Sequence, residues 1–118
     1  MKKKVLIVDD AMFMRKILKD IVEEDYEVVG EAANGLDALD LFKTLIPDIL
    51  LIDITMPMLD GISTIKEIRK QNEKVKIIVC SALGHQGMVI EALEAGANDF
   101  IQKPFTAEKV KQTLKLFN

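Results

Sequence analysis

The sequence has very little of several features that would point to particular classes of protein. It holds one cysteine, Cys80, and one histidine, His85. A single cysteine excludes an internal disulfide framework, and one cysteine with one histidine cannot supply the soft ligands of a zinc site. No stretch approaches the roughly 18 apolar residues that span a bilayer, and the opening MKKKVLIV meets acids too soon to be a secretory signal. We therefore expect a cytoplasmic protein without a membrane-spanning segment.

Net charge is also low, which excludes a general attraction to polyanions. The 118 residues carry a formal charge of −3, and the pI is near 5.2, so no global basic field draws the chain to nucleic acid. The 49% of hydrophobic and 30% of charged residues are typical of one globular domain. Because no linker or change in composition divides the chain, we expect a single domain over residues 1–118 that does not bind nucleic acid.

The stretch VLIVDD near the start of the chain combines a buried strand with two adjacent charges. Four apolar residues, Val5–Val8, are followed at once by Asp9 and Asp10. So short and β-branched a run predicts a strand buried on both faces, and two carboxylates at its end repel each other. One interpretation is that Asp10 caps a helix beginning near Ala11 and that Asp9 is merely solvated. The alternative, that the pair is functional, depends on the rest of the chain.

Five apolar runs typical of strands alternate along the chain with segments of helical periodicity. The runs are Val5–Val8, Tyr26–Glu31, Ile49–Ile52, Ile77–Cys80 and Phe100–Ile101. Glycine-containing turns fall between the segments, and Thr106 is a candidate N-cap for the last helix. Strict alternation of this kind predicts an α/β domain with a parallel sheet covered by helices on both faces. In such sheets, ligands bind beyond the carboxyl ends of the strands.

Chemically useful side chains stand at the predicted carboxyl ends of four strands. In chain order they are Asp9, Asp10, Asp53, Ser81 and Lys103. Three clustered carboxylates coexist most easily around a hard dication, and ligands that are all oxygen favour Mg²⁺ or Mn²⁺. A lysine and a hydroxyl beside that metal suit a phosphoryl group, which a carboxylate can accept as an aspartyl-phosphate. Asp53 is the best candidate for that nucleophile because it stands alone after the central strand, and Asp9 and Asp10 form the candidate metal pair.

The motifs VLIVDD, DITMPMLDG, CSA and DFIQKPF, in this order and spacing, resemble the receiver domains of bacterial response regulators. The resemblance covers essentially the whole chain. Within the family, AMFMRK and SALGHQGMVIEALEAGANDFIQKPF are most similar to the stand-alone chemotaxis members of Gram-positive and thermophilic bacteria. This resemblance implies a flavodoxin-like, doubly wound (βα)5 fold with strand order 2-1-3-4-5. It also implies one receiver domain over residues 1–118 with no output domain.

The resemblance assigns roles to the acidic residues. It makes Asp53 the phosphoacceptor and a metal ligand. It further implies that Asp10 binds Mg²⁺ directly, that Asp9 does so largely through water, and that the backbone carbonyl of Thr55 is another ligand.

The resemblance also implies how phosphorylation is sensed. Lys103 would pair with the phosphoryl group or, at rest, with Asp53, and a cis Lys103–Pro104 bond would aim it into the site. Ser81 would hydrogen-bond a phosphoryl oxygen, and its movement would open space for Phe100, which stands at the aromatic switch position. Phe100 departs from the tyrosine of many chemotaxis members, and its alternative role is a core aromatic residue that ends a strand.

The function implied is that of a single-domain chemotaxis regulator. A histidine kinase would donate a phosphoryl group to Asp53 in a Mg²⁺-dependent reaction, and the phosphorylated monomer would signal to the flagellar motor switch. Hydrolysis, hastened by a dedicated phosphatase, would reset the switch. Such a chain catalyses only its own phosphorylation and dephosphorylation and is not otherwise an enzyme. The alternative within the family is a phosphorelay carrier that passes phosphoryl to a histidine phosphotransfer protein.

Two other classes of protein fit the residues less well. A Mg²⁺-dependent phosphatase with an aspartate nucleophile usually carries a second acid two residues later, where this chain has Thr55. An interaction module that no longer uses phosphate would be expected to have lost one of the charged residues of the site, and all of them are present.

The methionines that follow the first and third strands have different expected environments. Met12 and Met14 are expected to pack in the core or at the rim of the site. Met56 and Met58 are expected to be partly exposed and to offer an adaptable surface to a partner.

Overall fold

The computed structural model describes residues 2–82 and 85–117, and in these ranges five strands alternate with five helices. They are β1 (Lys4–Val8), α1 (Met12–Val22), β2 (Glu27–Ala32), α2 (Gly35–Leu45), β3 (Ile49–Asp53), α3 (Gly61–Gln71), β4 (Lys76–Ala82), α4 (Gln86–Ala95), β5 (Asp99–Lys103) and α5 (Ala107–Lys115). All strand pairs are parallel, and the sheet order is β2-β1-β3-β4-β5. The predicted fold class and strand order are therefore confirmed. Of the helices in these ranges, none has the length and apolar character that a bilayer crossing requires.

The last two strands extend further towards the site than their apolar runs predicted. Their carboxyl ends pair in register, with Ser81 opposite Gln102 and Ala82 opposite Lys103. The backbone ladder thus continues through polar residues that the apolar pattern leaves out. Both Ser81 and Lys103 are fixed as parts of strands rather than as loop residues.

Polar side chains cap three of the five helices, and no described side chain caps α1 or α4. Thr106 accepts a hydrogen bond from the Lys109 N–H at 3.1 Å, which confirms the predicted cap of α5. Helix α1 instead begins after Ala11, and no side chain caps it. The Ala11 N–H donates to Asp9 Oδ1 at 2.9 Å. The interpretation of Asp10 as a helix cap is therefore wrong, because the chain turns one residue later and the first aspartate takes the free N–H.

The core lies in two layers, one on each face of the sheet. Alternate strand residues such as Leu50 pack with α2, α3 and α4, whereas their neighbours such as Leu51 pack with α1 and α5. The central strands are buried on both faces, as their continuous apolar runs predicted. Cys80 belongs to the α1/α5 layer, and complete burial raises the pKa of its thiol to about 12. An inert core cysteine was the expectation, and its burial is confirmed.

One buried polar atom in this core leads to a prediction about stability. The hydroxyl of Tyr26, a residue only 4% exposed, has no hydrogen-bond partner within residues 2–82 and 85–117. Burial, together with the charge of Asp25, raises the pKa of this phenol. We expect Tyr26→Phe to raise the free energy of unfolding by about 1 kcal/mol, because the unsatisfied group is removed and the ring is kept. Urea denaturation of both proteins measures the difference, and a loss of similar size would show that the hydroxyl is hydrogen-bonded in solution.

Candidate functional site

Three carboxylates meet at the carboxyl edge of the sheet, where the ends of β1 and β3 lie side by side. Asp9, Asp10 and Asp53 each place one oxygen within 4.8 Å of the others. Asp9 is buried at 1% exposure, Asp53 is partly buried and Asp10 is exposed. The convergence that the strand ends predicted is therefore confirmed.

Asp9 is held on every side by other groups. Its N–H continues the β1–β2 ladder by donating to the Ala32 carbonyl at 3.0 Å. Its carbonyl accepts a hydrogen bond from Arg15 Nη1 at 2.7 Å. Its two carboxylate oxygens accept from the Ala11 N–H and from the Lys103 ammonium. Asp9 thus has both oxygens engaged, which leaves Asp10 and Asp53 as the more available carboxylates.

Lys103 supplies a positive charge within ion-pair distance of two of these carboxylates. Its Nζ lies 3.1 Å from Asp9 Oδ2 and 3.5 Å from Asp53 Oδ2. The pair with Asp53 was expected, and the shorter contact with Asp9 was not. The Lys103–Pro104 peptide bond is cis, as the resemblance implied. Burial alone would lower the pKa of Lys103, but Asp53 and Asp9 outweigh that effect, so its pKa is raised and it stays a cation.

The electrostatic environment of Asp53 disfavours its charged form. Burial raises the pKa of its carboxyl, and the charges of Asp9 and Asp10 add to that shift. The Lys103 ammonium and the backbone N–H of Thr55 act in the opposite direction, but the net change is upward. Three acids with one lysine therefore hold an excess of negative charge that a bound cation would relieve.

The oxygen ligands that this cluster offers fit a hard dication. The converging ligand atoms are carboxylate oxygens, which Mg²⁺ and Mn²⁺ prefer, and the exposure of Asp10 leaves room for the waters that Mg²⁺ retains. Burial is the main cause of the raised Asp53 pKa, and a bound dication would offset it by favouring the charged carboxylate. The acidic cluster of this chain therefore fits Mg²⁺ binding.

Ser81 and Phe100 face the same groove beside the site. Ser81 is buried, whereas Phe100 is 41% exposed at the start of β5. Both line a groove of about 310 Å³ between β4, β5 and α4, whose other walls include Val89 and Leu93. The reading of Phe100 as a buried core aromatic is wrong, because its position alternates outward next to the buried Ile101.

The residues around the loop after β3 match the expectations in part. Thr55 is exposed two residues after Asp53, and the role of its carbonyl stays a prediction. Met58 is 73% exposed, as expected, but Met56 is 8% exposed and packs in the core with α2 and α3. After β1, Met12 is 74% exposed, so a place in the core is wrong for it, whereas Met14 packs against the α1/α5 layer as expected.

A second contact of the site, made by Arg15, was also missed from the sequence. Arg15, on α1, reaches back to the Asp9 carbonyl and pairs with Glu31 on β2, Nε to Oε1 at 3.2 Å. The only signal available was a basic residue one helical turn after the acids, which by itself predicts a solvated helix face.

Comparison with known proteins identifies the family of this chain. The family model described as the response regulator receiver domain matches residues 5–115. The chain therefore belongs to the response regulator receiver domain family.

Among curated relatives, the similarity is to chemotaxis proteins. The chemotaxis protein CheY of Thermotoga maritima is 58% identical over 115 residues, which cover 97% of this chain and 96% of that protein. CheY of Bacillus subtilis is 50% identical over 115 residues, again covering 97% and 96%. Among solved structures, the CheX–CheY–BeF3–Mg²⁺ complex from Borrelia burgdorferi matches with a TM-score of 0.91 and 37% identity, covering 98% of this chain and 90% of that one. The chain is thus a CheY-like receiver of the chemotaxis type.

Proposed function

We propose that this chain accepts a phosphoryl group onto Asp53 from the phosphohistidine of a chemotaxis histidine kinase, in a reaction that needs Mg²⁺. The observation that carries the proposal is the meeting of Asp53 with two further acids and Lys103 at one edge of the sheet. Phosphoryl transfer requires a carboxylate nucleophile, a positively charged side chain beside it and an acidic site for a dication, and this edge of the sheet has all three.

The residues divide the work of the transfer. An oxygen of Asp53 attacks phosphorus while the bond from phosphorus to the imidazole nitrogen breaks, and the electron pair of that bond stays on the nitrogen. Asp10 and Asp53, with Asp9 through water and the Thr55 carbonyl, are the residues that would hold Mg²⁺, which screens the charge of the phosphoryl oxygens. Lys103 lies within ion-pair distance of Asp53 and is placed to pair with the transferred group.

The same arrangement supports a readout through Ser81 and Phe100. The Ser81 hydroxyl, near the end of β4, would donate a hydrogen bond to the phosphoryl group. Movement of Ser81 towards that group would enlarge the groove beside Phe100. The half-exposed Phe100 ring would then turn into that groove and change the surface of α4 and β5. A shift from 1:99 to 99:1 in this equilibrium requires about 5.5 kcal/mol of differential stabilisation.

The CheY relatives support the biological setting of the proposal. Because similarity to them extends over nearly the whole chain, we infer a cytoplasmic, monomeric single-domain receiver over residues 1–118 that signals to the flagellar motor switch and binds no nucleic acid. The match to CheY in complex with CheX supports a further protein partner, and a dedicated phosphatase is the partner that we propose. In this role the chain catalyses only its own phosphorylation and dephosphorylation.

The proposal predicts a single labile phosphoryl adduct on Asp53, as expected of an acyl phosphate. Intact-mass spectrometry after incubation with acetyl phosphate and Mg²⁺ should detect it in the wild-type protein, and Asp53→Ala should abolish it. Excess EDTA should abolish it as well, since the acidic cluster then keeps its charge unscreened.

Asp40→Asn is the matched control for this experiment. Asp40 is an exposed aspartate on α2, so the variant changes the charge of the chain without touching the site. It should form the adduct like the wild type. No adduct in the wild type, under conditions where a slowly hydrolysing receiver is labelled in parallel, would refute phosphoryl acceptance and favour a module that binds metal only.

A further inference from the structure

The guanidinium of Arg15 contacts the loop of Asp9, Asp10 and Ala11, where the chain leaves β1. Arg15 is in the first turn of α1, and its N–H donates to the Ala11 carbonyl at 3.0 Å. Its side chain, only 14% exposed, turns back so that Nη1 donates to the Asp9 carbonyl at 2.7 Å. Arg15 thus closes the loop of Asp9, Asp10 and Ala11 from both its backbone and its side chain.

Glu31 on β2 holds the other side of that guanidinium. Its Oε1 lies 3.2 Å from Arg15 Nε, and its Oε2 lies 3.9 Å from Lys19 Nζ. Since Glu31 is opposite Ile7 in the β1–β2 register, the carboxylate stands on the strand that neighbours the end of β1. The arginine is therefore oriented by the sheet and not only by its own helix.

The contact falls at the point where the strand ladder ends. The Asp9 N–H still bonds to the Ala32 carbonyl of β2 at 3.0 Å, and the next backbone group, the Asp9 carbonyl, is the one that Arg15 takes. The direction in which the chain leaves β1 is thereby fixed. Asp10, the exposed acid of the cluster, comes directly after Asp9, so its position depends on that direction.

We propose that Arg15, oriented by Glu31, is a positioning residue for the metal-binding acids and sets the place of Asp10 relative to Asp53. The proposal rests on the Mg²⁺ site of the proposed function and assigns Arg15 no contact with metal or phosphoryl. Groups that orient metal ligands typically change metal affinity 10- to 100-fold when they are replaced. We expect the Kd for Mg²⁺ to rise about tenfold in Arg15→Met.

The direction in which the Kd for Mg²⁺ changes distinguishes a positioning role of Arg15 from an effect of its charge alone. Arg15 is a cation near an acidic site, so its loss would tighten Mg²⁺ binding if only its charge mattered. Loss of positioning weakens binding instead. Arg15→Lys keeps the charge, but a single ammonium cannot reproduce the fork that bonds the Asp9 carbonyl and Glu31 together. We therefore expect an intermediate Kd for this variant, whereas charge alone predicts no change.

Lys16→Met is the matched control. It removes the same charge from the next residue of α1, where Lys16 is exposed and pairs only at the surface with Asp20. Its Kd for Mg²⁺ should equal that of the wild type or be slightly lower.

The experiment is a calorimetric titration of the full chain with MgCl2, at a temperature where thermal melts in EDTA show each variant to be folded. Hydrogen exchange of the Ala11 amide in EDTA gives a second readout, because that N–H bonds to Asp9 in the metal-free protein. Faster exchange in Arg15→Met together with weaker Mg²⁺ binding supports the proposal. If Arg15→Met does not fold, Arg15→Lys provides the same comparison.

The experiments distinguish a failure of the positioning role of Arg15 from a failure of phosphoryl acceptance by Asp53. Wild-type affinity or tighter binding in Arg15→Met and Arg15→Lys would overturn the positioning role and leave phosphoryl acceptance intact. A wild type that binds Mg²⁺ but forms no phosphoryl adduct would overturn the proposed function and leave the positioning role standing. A wild type that binds no Mg²⁺ would overturn both.

Discussion

Gly61→Ala is expected to lower the free energy of unfolding by about 3 kcal/mol, at the upper end of the usual cost of overpacking. A methyl group on Gly61 would lie against the carbonyl oxygen of Asp53 and 2.8 Å from the Cα of Ile54. Both are backbone atoms, so no side chain can rotate to make room. The Gly61 N–H also donates to the Ile54 carbonyl at 2.8 Å. The methyl would therefore force the start of α3 away from the end of β3.

Gly87→Ala provides the control with the opposite expected sign. Gly87 lies in α4, and a methyl there would meet nothing within 4 Å among the described residues. Alanine favours a helix over glycine, so a gain of up to about 0.5–1 kcal/mol is expected. Chemical denaturation of both variants measures the two effects. Equal stability of Gly61→Ala and the wild type would show that the β3–α3 junction is looser than its packing indicates.

The same substitution should also affect the site. Because the crowded carbonyl belongs to Asp53, displacement of the β3–α3 loop moves the proposed nucleophile as well as the backbone. Labelling of Gly61→Ala by acetyl phosphate should therefore be slower than that of Gly87→Ala under conditions where both are folded. The proposed reaction thus depends on a residue that has no chemistry of its own.

Much of the fold and the candidate site follows from local features of the sequence. The continuous apolar runs identify the buried central strands, and the polar residue that ends each run must lie at the carboxyl edge of a parallel sheet. For this reason the sequence alone predicts that Asp9, Asp53 and Ser81 lie near one another. The alternation of β and α elements alone did not supply the strand order, for which the family resemblance was needed.

Two of the contacts that sequence reasoning missed are made to backbone carbonyls. Arg15 bonds to the carbonyl of Asp9, and Arg69 on α3 donates to the carbonyl of Gly96 at 2.9 and 3.0 Å. A carbonyl is present at every position, so it leaves no mark on the residue pattern. Met12 shows a related difficulty, since its side chain is exposed although it belongs to an apolar helical pattern. Periodicity alone does not tell which face of the first helical turn the sheet covers.

Lys103→Met is expected to lower the free energy of unfolding by about 3 kcal/mol in EDTA, the lower end of the cost of breaking a buried ion pair. The ammonium bridges Asp9 and Asp53, whose side chains are 2% and 12% exposed. Without it the Oδ2 atom of Asp9 stays buried and unpaired beside two other acids. Saturating Mg²⁺ should restore part of the loss, because a second cation enters the same cluster.

Lys109→Met is the control for this prediction. Lys109 is an exposed residue of α5 outside the site, so the same loss of charge should change the unfolding free energy by less than about 0.5 kcal/mol. An equal loss in both variants would mean that net charge, and not the bridge, sets the stability. No loss in Lys103→Met would show that the acids of the metal-free protein are already neutralised in another way.

The pH dependence of Lys103→Met gives the sharper test, because its sign is fixed by the direction of one shift. Lys103 lowers the pKa of Asp53, which burial has already raised, so its removal raises that pKa further. A carboxyl whose pKa is higher in the folded protein than in the unfolded chain contributes stability that is fully present below the unfolded pKa and is lost as pH rises through the folded pKa. The variant should therefore regain stability as the pH falls from about 7 towards the unfolded aspartate pKa of about 3.9. The difference from the wild type, followed by urea denaturation in EDTA, should narrow over that range, and a constant or widening difference would refute Asp53 as the acid that Lys103 neutralises.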